Sequence, residues 1–399
     1  MDINKVRSDF PLLREGKTIY FDNACQSLRP QQVIDAISEY YRDYPACSGR
    51  SMHHLAVKVT QKCDEARKAV ANFIGAKHKE EVIFTRNTTE GINLVAYSLG
   101  LKKGDVVITS DKEHNSNLIP WQVLKEKIGI VHKIIPSDSD GLLDMEQYDQ
   151  ALRDGATLVS MVFTSNLDGV SIPTEEVVKK AHQVGAKVML DGAQAIPHQK
   201  IDVAKLDVDF LAFSGHKMLG PTGTGVLYGK RELLNKLEPF LVGGDTVSSS
   251  TYTSHEFLPI PEKFEAGLQD YAGIIGLGAA VRYLENVGFD TISHVEHELN
   301  SYITNELIKI DGLTIIGPAD PTLRSGIVSF YLKGKDHHQI ALMLDETAGI
   351  CVRSGQHCVH SWFNSRNIPG SVRASLYFYN TMEEVESFVN NLKKVISVL

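Results

Sequence analysis

From about residue 56 the chain alternates between short apolar runs and longer amphipathic stretches. Val57 to Phe73 carries apolar residues at helical spacing. Residues 81–85, Glu-Val-Ile-Phe-Thr, predict a strand, and a helix opens at Thr88-Thr89-Glu90. Further strands are predicted at Asp105 to Thr109, Ile130 to Ile135, Leu158 to Phe163, Lys187 to Leu190, Phe210 to Phe213 and Gly225 to Tyr228. Helical patterns separate several of them, at Leu118 to Lys127 and Thr174 to Gln183. Buried β-branched strands alternating with helices predict a mostly parallel α/β sheet covered on both faces. After about residue 281 the texture changes. Long helical segments, Val281 to Glu298 and Met382 to Val398, flank short strands at 313–316 and 326–330. That pattern predicts a smaller α+β domain, with residues 1–20 packed onto it. The expected division is 21–280 for the large domain, and 1–20 with 281–399 for the small one.

A length of 399 residues suits two unequal domains. Hydrophobic residues at 43% and charged residues at 23% are globular values. A net charge of −8 argues against general nucleic-acid or anionic-membrane binding. Met1 to Phe10 lacks the apolar core of a signal peptide, and the chain has no apolar run long enough to span a bilayer. Five cysteines, Cys25, Cys47, Cys63, Cys351 and Cys358, imply no disulfide framework. A reducing, cytoplasmic setting is expected.

Ligands of such sheets gather at the carboxyl ends of the strands. Five segments there carry chemistry. Thr88-Thr89-Glu90, at a strand-to-helix junction, reads as an anion cradle or as an ordinary helix cap by Thr88. Asp191, after the apolar run Val188-Met189-Leu190, suits a protonated ring nitrogen, a metal or a turn cap. Lys217, in Ser214-Gly215-His216-Lys217, is placed for Schiff-base work or lies at the surface beside a flexible loop. Together, a lysine, a carboxylate and an anion cradle are what pyridoxal phosphate requires. His114, after another strand, suits ring stacking or proton relay, or is structural. Cys358 sits in a loop with Arg353 and His357, an electropositive setting that favours a nucleophilic thiolate. Cys351, His357, Cys358 and His360 also offer metal-ligand chemistry, but their spacing matches no zinc motif, and no metal is expected. Arg373, within an apolar run, suits a substrate carboxylate or an internal ion pair.

These stretches resemble the class V aminotransferase superfamily of fold-type-I pyridoxal phosphate enzymes. The chain is most similar to SUF-type (group II) cysteine desulfurases and selenocysteine lyases. The resemblance runs through Tyr20-Phe21-Asp22-Asn23-Ala24, Thr88-Thr89-Glu90-Gly91, Glu113-His114, Ser165-Asn166, Asp191-Gly192-Ala193-Gln194, Ser214-Gly215-His216-Lys217, Phe264-Glu265-Ala266-Gly267, residues 353–358 and Arg373-Ala374-Ser375-Leu376. It implies a fold-type-I transferase with a seven-stranded sheet. It implies that Lys217 carries the cofactor, Asp191 pairs with the ring nitrogen, Gln194 with the ring hydroxyl, and His114 stacks. It places Thr88, Thr89, Ser214 and His216 on the phosphate. Asn166 and Arg373, with Arg353, fall in the substrate site, and Cys358 takes sulfur. L-cysteine, or selenocysteine, is the implied substrate, with a homodimer and a sulfur-acceptor or scaffold protein as partners. The alternative is selenocysteine lyase or another class V reaction, such as a C–S lyase, aminotransferase or epimerase, with Cys358 a bystander. The chain departs from the family pattern at Gln356, at Val359-His360-Ser361-Trp362 and at Leu268-Gln269-Asp270-Tyr271. In this last segment the family places a threonine that reaches the partner's phosphate. Thr246 is the substitute the sequence offers.

Overall fold

The apolar runs assemble into a seven-stranded sheet in the computed structural model, which describes residues 2–138 and 140–399. In chain order its strands are β1 (Val82–Thr85), β2 (Val106–Ser110), β3 (Val131–Ile135), β4 (Leu158–Val162), β5 (Lys187–Asp191), β6 (Phe210–Ser214) and β7 (Gly225–Gly229). Their spatial order is β1-β7-β6-β5-β4-β2-β3. Only β7 runs antiparallel to its neighbours β1 and β6; the other pairings are parallel. The central strands β4, β6 and β7 are buried along their whole length, which is why they read as unbroken apolar runs. Helices His54–Phe73, Thr174–Gln183 and Tyr271–Val287 supply the core on one face. Helices Thr88–Ser98 and Asn115–Ile128 supply it on the other, through Ile92, Val95, Trp121 and Leu124.

The second sheet is antiparallel, in the order Leu313–Ile316, Ile327–Leu332, Ser371–Ser375, Arg353–Gly355. Helices Phe289–Leu307, His337–Ala348 and Met382–Val398 bury Leu299, Ile303, Leu344, Phe388 and Leu392 with it. The long helix expected from Val281 is two helices, Tyr271–Val287 and Phe289–Leu307. Gly288, at φ 81°, turns the chain between them, a conformation that suits a residue without Cβ. The expected boundary at residues 280 and 281 therefore lies inside a helix packed on the large sheet. The N-terminal stretch touches both units. Ile19–Tyr20 pairs in parallel with Ile350–Cys351, while Phe10 packs edge-on against Tyr283 and Phe378.

β1 is an edge strand, and its free backbone groups are covered by two side chains. Glu265 Oε1 accepts the Phe84 N–H at 2.7 Å, and Arg67 Nη1 donates to Val82 O at 2.6 Å. The two side chains also pair with each other at 2.7 and 2.8 Å. Both are nearly buried, so each charge depends on the other. The Phe264-Glu265-Ala266-Gly267 motif thus closes the sheet edge beside the helix that begins at Thr88. Removing the carboxylate in Glu265→Ala leaves a buried guanidinium and an open edge. It is expected to lower unfolding stability by about 3–5 kcal/mol in urea denaturation.

Candidate active site

The loops at the carboxyl ends of β2, β4, β5 and β6 converge on a cavity of ≈ 210 Å³. Lys217 and Asp191 face each other across it. Asp191 ends β5 and is 3% exposed, and among the described residues its carboxylate accepts only the Ala193 N–H, at 3.0 Å. Burial pushes its carboxyl above the usual range, and Lys217 opposes that rise. Burial likewise pushes the Lys217 amine down, against the pull of Asp191. A lysine depressed in this way offers more of the neutral, nucleophilic amine. Gln194 donates to Ala24 O at 2.7 Å, which leaves its buried Oε1 without a partner at the cavity wall.

At one end of the cavity helix Thr88–Ser98 begins. Asn87, rather than the expected Thr88, is its cap: the Asn87 side chain accepts the Glu90 N–H at 3.0 Å. Thr88 is the first helical residue. Its N–H donates to Ser214 Oγ at 2.9 Å, and the two hydroxyls lie 2.6 Å apart. Thr89 Oγ1 lies 2.7 Å from Ser116 Oγ. His216 lines the same end, pushed down to about 4 by burial and then by Lys217. Hydroxyls around the positive end of a helix make an anion cradle. Gly225 is required here, because a Cβ on it would lie 2.6 Å from Asn87 Cα.

His114 caps helix Asn115–Ile128, with its Nδ1 accepting the Ser116 N–H at 3.1 Å. Burial, and then Lys217 and Arg353, push its pKa down to about 3. The ring is therefore neutral, with its proton on Nε2. Glu113 positions it. That buried carboxyl holds Ser110 N–H and Val162 N–H at 3.1 and 3.0 Å and Asn117 Nδ2 at 2.7 Å. Burial raises the Glu113 pKa to about 7.

Arg373 is wholly buried at the opposite wall. Its Nη1 donates to Asn166 O at 3.0 Å and its Nη2 to Asp22 Oδ1 at 3.3 Å, while Nε has no partner. Asn166 Nδ2 donates to His357 O at 2.8 Å, and its Oδ1 is also unpartnered. Cys358 does not line the cavity. Arg353 does, and its Nη2 lies 3.6 Å from Cys358 Sγ. His357 and Cys358 have φ of 49° and 61°, unusual for residues with a Cβ. Bonds from Asn166 to His357 O and from the Asn115 N–H to Cys358 O, the second at 2.8 Å, hold that turn. Two consecutive left-handed residues store about 1–3 kcal/mol each.

The four residues weighed as metal ligands have separate partners. Cys351 faces Asp345, His357 bonds Ser371, Cys358 faces Arg353 and His360 bonds Asn115. Thr246 is buried, and its hydroxyl donates to Gly243 O at 2.8 Å and accepts the Gly243 N–H at 3.1 Å, so it is engaged within its own turn. Asp22, Cys25, Asn87, Glu113 and Ser116 belong to the site but were not singled out by the sequence. Asp22 and Glu113 lay within recognised motifs, whereas Cys25, Asn87 and Ser116 required the fold.

A family model described as Aminotransferase class-V matches residues 19–388. A probable cysteine desulfurase of Streptomyces coelicolor is 41% identical over 408 residues, covering 99% of this chain and 97% of that protein. The apo structure of a cysteine desulfurase from Thermococcus onnurineus NA1 superposes with a TM-score of 0.95 at 41% identity, covering 99% of this chain and 98% of that one. The cysteine desulfurase CsdA of Escherichia coli, solved in an S-sulfonic acid form, gives 0.93 at 32% identity, covering 100% and 99%.

Burial of neutral histidines sets a pH dependence. His114, His132 and His216 are depressed from 6.5 to about 3, 4 and 4, so between those values the unfolded chain binds protons that the folded chain refuses. Glu113, raised to about 7, opposes them. His337 and His357 are pushed down as well, and the raised Asp22 and Asp191 side with Glu113; five histidines against three carboxyls leave stability declining as the pH falls from 6.5 toward about 4. Thermal melts from pH 6.5 down to about 4 are expected to show a falling Tm; a rising Tm would contradict this account of the buried histidines.

Proposed function

The chain belongs to the aminotransferase class-V family, and we propose that it is a pyridoxal-phosphate-dependent cysteine desulfurase that moves the sulfur of L-cysteine onto Cys358. The observation that carries this reading is Arg353. It lines the cavity of Lys217, Asp191 and Arg373 and at the same time touches the Cys358 thiol. The residues present fit the cofactor. Asp191 is a buried carboxylate for a pyridinium, Gln194 Oε1 is an unpartnered atom for a ring hydroxyl, and the helix start at Thr88 is a cradle for a phosphate.

When bound, pyridoxal phosphate supplies an electron sink for charge released at the substrate α-carbon. Lys217 would hold it and would take the α-proton on Nζ. Asp191 would keep the ring nitrogen protonated. Thr88, Thr89, Ser214 and His216 would hold the phosphate, and neutral His114 would serve the ring without adding charge. Arg373, with the unpartnered atoms of Nε and Asn166 Oδ1, receives the amino-acid substrate. The guanidinium takes its carboxylate in the fixed fork that suits that group. Cys358 attacks the substrate sulfur, the carbon–sulfur bond breaks, and a persulfide remains on Cys358 while the carbon skeleton leaves as alanine. The strained turn fixes where the sulfur stands, and position governs such a step as strongly as reactivity.

Arg50 pairs with Asp245, and Gly267 N–H donates to Gly244 O at 2.7 Å, so loops 49–54, 241–246 and 266–268 form one surface. Met52, Val242 and Leu268 are exposed on it, at 93%, 65% and 67%. A second copy of the chain is the reading this apolar surface supports. Five free thiols support a reducing, cytoplasmic setting. A soluble protein accepting the persulfide sulfur completes the reading.

Two measurements test it. Cys358→Ala is expected to retain the yellow cofactor and to bind L-cysteine but form no alanine; undiminished alanine would remove Cys358 from the chemistry. Sedimentation is expected to give a dimer, weakened in a Val242→Asp, Leu268→Asp variant, while a monomeric wild type would refute the assembly.

A further inference from the structure

A second thiol stands at the same cavity. The Cys25 N–H donates to Asp22 O at 3.1 Å, closing a turn after the strand Ile19–Tyr20. Next to it, the Ala24 carbonyl accepts from Gln194 Nε2 at 2.7 Å. The turn is therefore pinned to Gln194, and Cys25 forms part of the cavity wall together with Lys217, Arg353 and Arg373. Cys25 is half-buried and is a free thiol.

This wall is built for a ligand. Arg373 and Gln194 are 0% and 2% exposed, and each keeps one polar atom, Nε and Oε1, without a partner. A thiol between such groups differs from an isolated surface cysteine. The Arg353 guanidinium borders the cavity thiol's space and lies 3.6 Å from the loop thiol.

We propose that Cys25 is a second sulfur carrier, which takes sulfane sulfur from the Cys358 persulfide. The proposal rests on the desulfurase reading of Cys358. In the step, the Cys25 thiolate attacks the outer sulfur of the persulfide. A new sulfur–sulfur bond forms on Cys25, the bond from Cys358 to that sulfur breaks, and Cys358 leaves as a thiolate. The proton given up by Cys25 ends on Cys358. Nothing is oxidised or reduced overall, because thiol and persulfide exchange places. Lys217, Arg353 and Arg373 stabilise the negative charge that passes between the sulfurs. The consequence is that a chain stores two sulfurs when no acceptor is present, and Cys358 is freed for a further turnover.

The test uses holoenzyme with excess L-cysteine and no reductant, quenched over time with an alkylating agent, digested and mapped by mass spectrometry. The expected result is a persulfide first on the Cys358 peptide and later also on the Cys25 peptide. Sulfane sulfur then approaches two per chain. Cys25→Ser is expected to halve that amount and confine it to Cys358, and Cys358→Ala to leave Cys25 a plain thiol. The wild-type map decides the matter even if Cys25→Ser fails to fold. Cys25 remaining unmodified while Cys358 fills would overturn this proposal and leave the desulfurase reading standing. Absence of both alanine and persulfide would instead overturn that reading, and the relay with it.

Discussion

The site depends on one buried cation. Arg373 lies in the central part of the second sheet with no exposure to solvent, and its one carboxylate neighbour is Asp22, 3.3 Å away. An ion removed from water costs several kcal/mol unless its protons are satisfied. Arg373 meets that demand with three separated segments. The N-terminal turn brings Asp22, the loop after β4 brings the Asn166 carbonyl, and the strand Ser371–Ser375 brings the guanidinium itself. The two sheets are thereby joined at the point where Cys358 must stand. Among the described residues the remaining Nε has no partner, and Arg373 lines the cavity, so the joint that holds the units together also adds a positive charge to the cavity wall.

Electrostatics follow from that joint. Lys217, Arg353 and Arg373 surround a space that contains Asp191 and borders Asp22. Positive groups dominate the wall, which suits a phosphate and an amino-acid carboxylate. Burial alone would drive His114 toward its neutral form, and the cations drive it further. The neutral ring thus adds no positive charge to the cavity. Glu113, though buried and raised to about 7, sits outside this balance and works through hydrogen bonds that fix where His114 stands.

The sequence disclosed what depends on local pattern. Strand runs such as Leu158 to Val162 are buried at every position, so apolar continuity alone located them, and residues at their ends marked the cavity. Lys217, Asp191 and Arg373 were legible because a charge at the end of, or inside, an apolar run demands a reason. Single residues that redirect the chain were harder to read. Gly288 ends a helix within a continuous amphipathic pattern, and Asn87 takes the cap that Thr88 seemed to offer. Features set by contacts across hundreds of residues could not be read at all. The left-handed turn at Cys358 is held by Asn115 and Asn166, and the turn that carries Cys25 is held by Gln194 and Ser375. Thr246, attractive as an outward-reaching hydroxyl, is satisfied by its own turn.

The central claim is that the cavity cleaves the carbon–sulfur bond of L-cysteine and retains the sulfur on protein. A single-turnover reaction of holoenzyme with L-cysteine, with small-molecule products and protein-bound sulfane sulfur counted together, tests it most directly. The account predicts alanine and persulfide in equal amounts. Pyruvate and ammonia, with sulfide released and no sulfur on the protein, would contradict it.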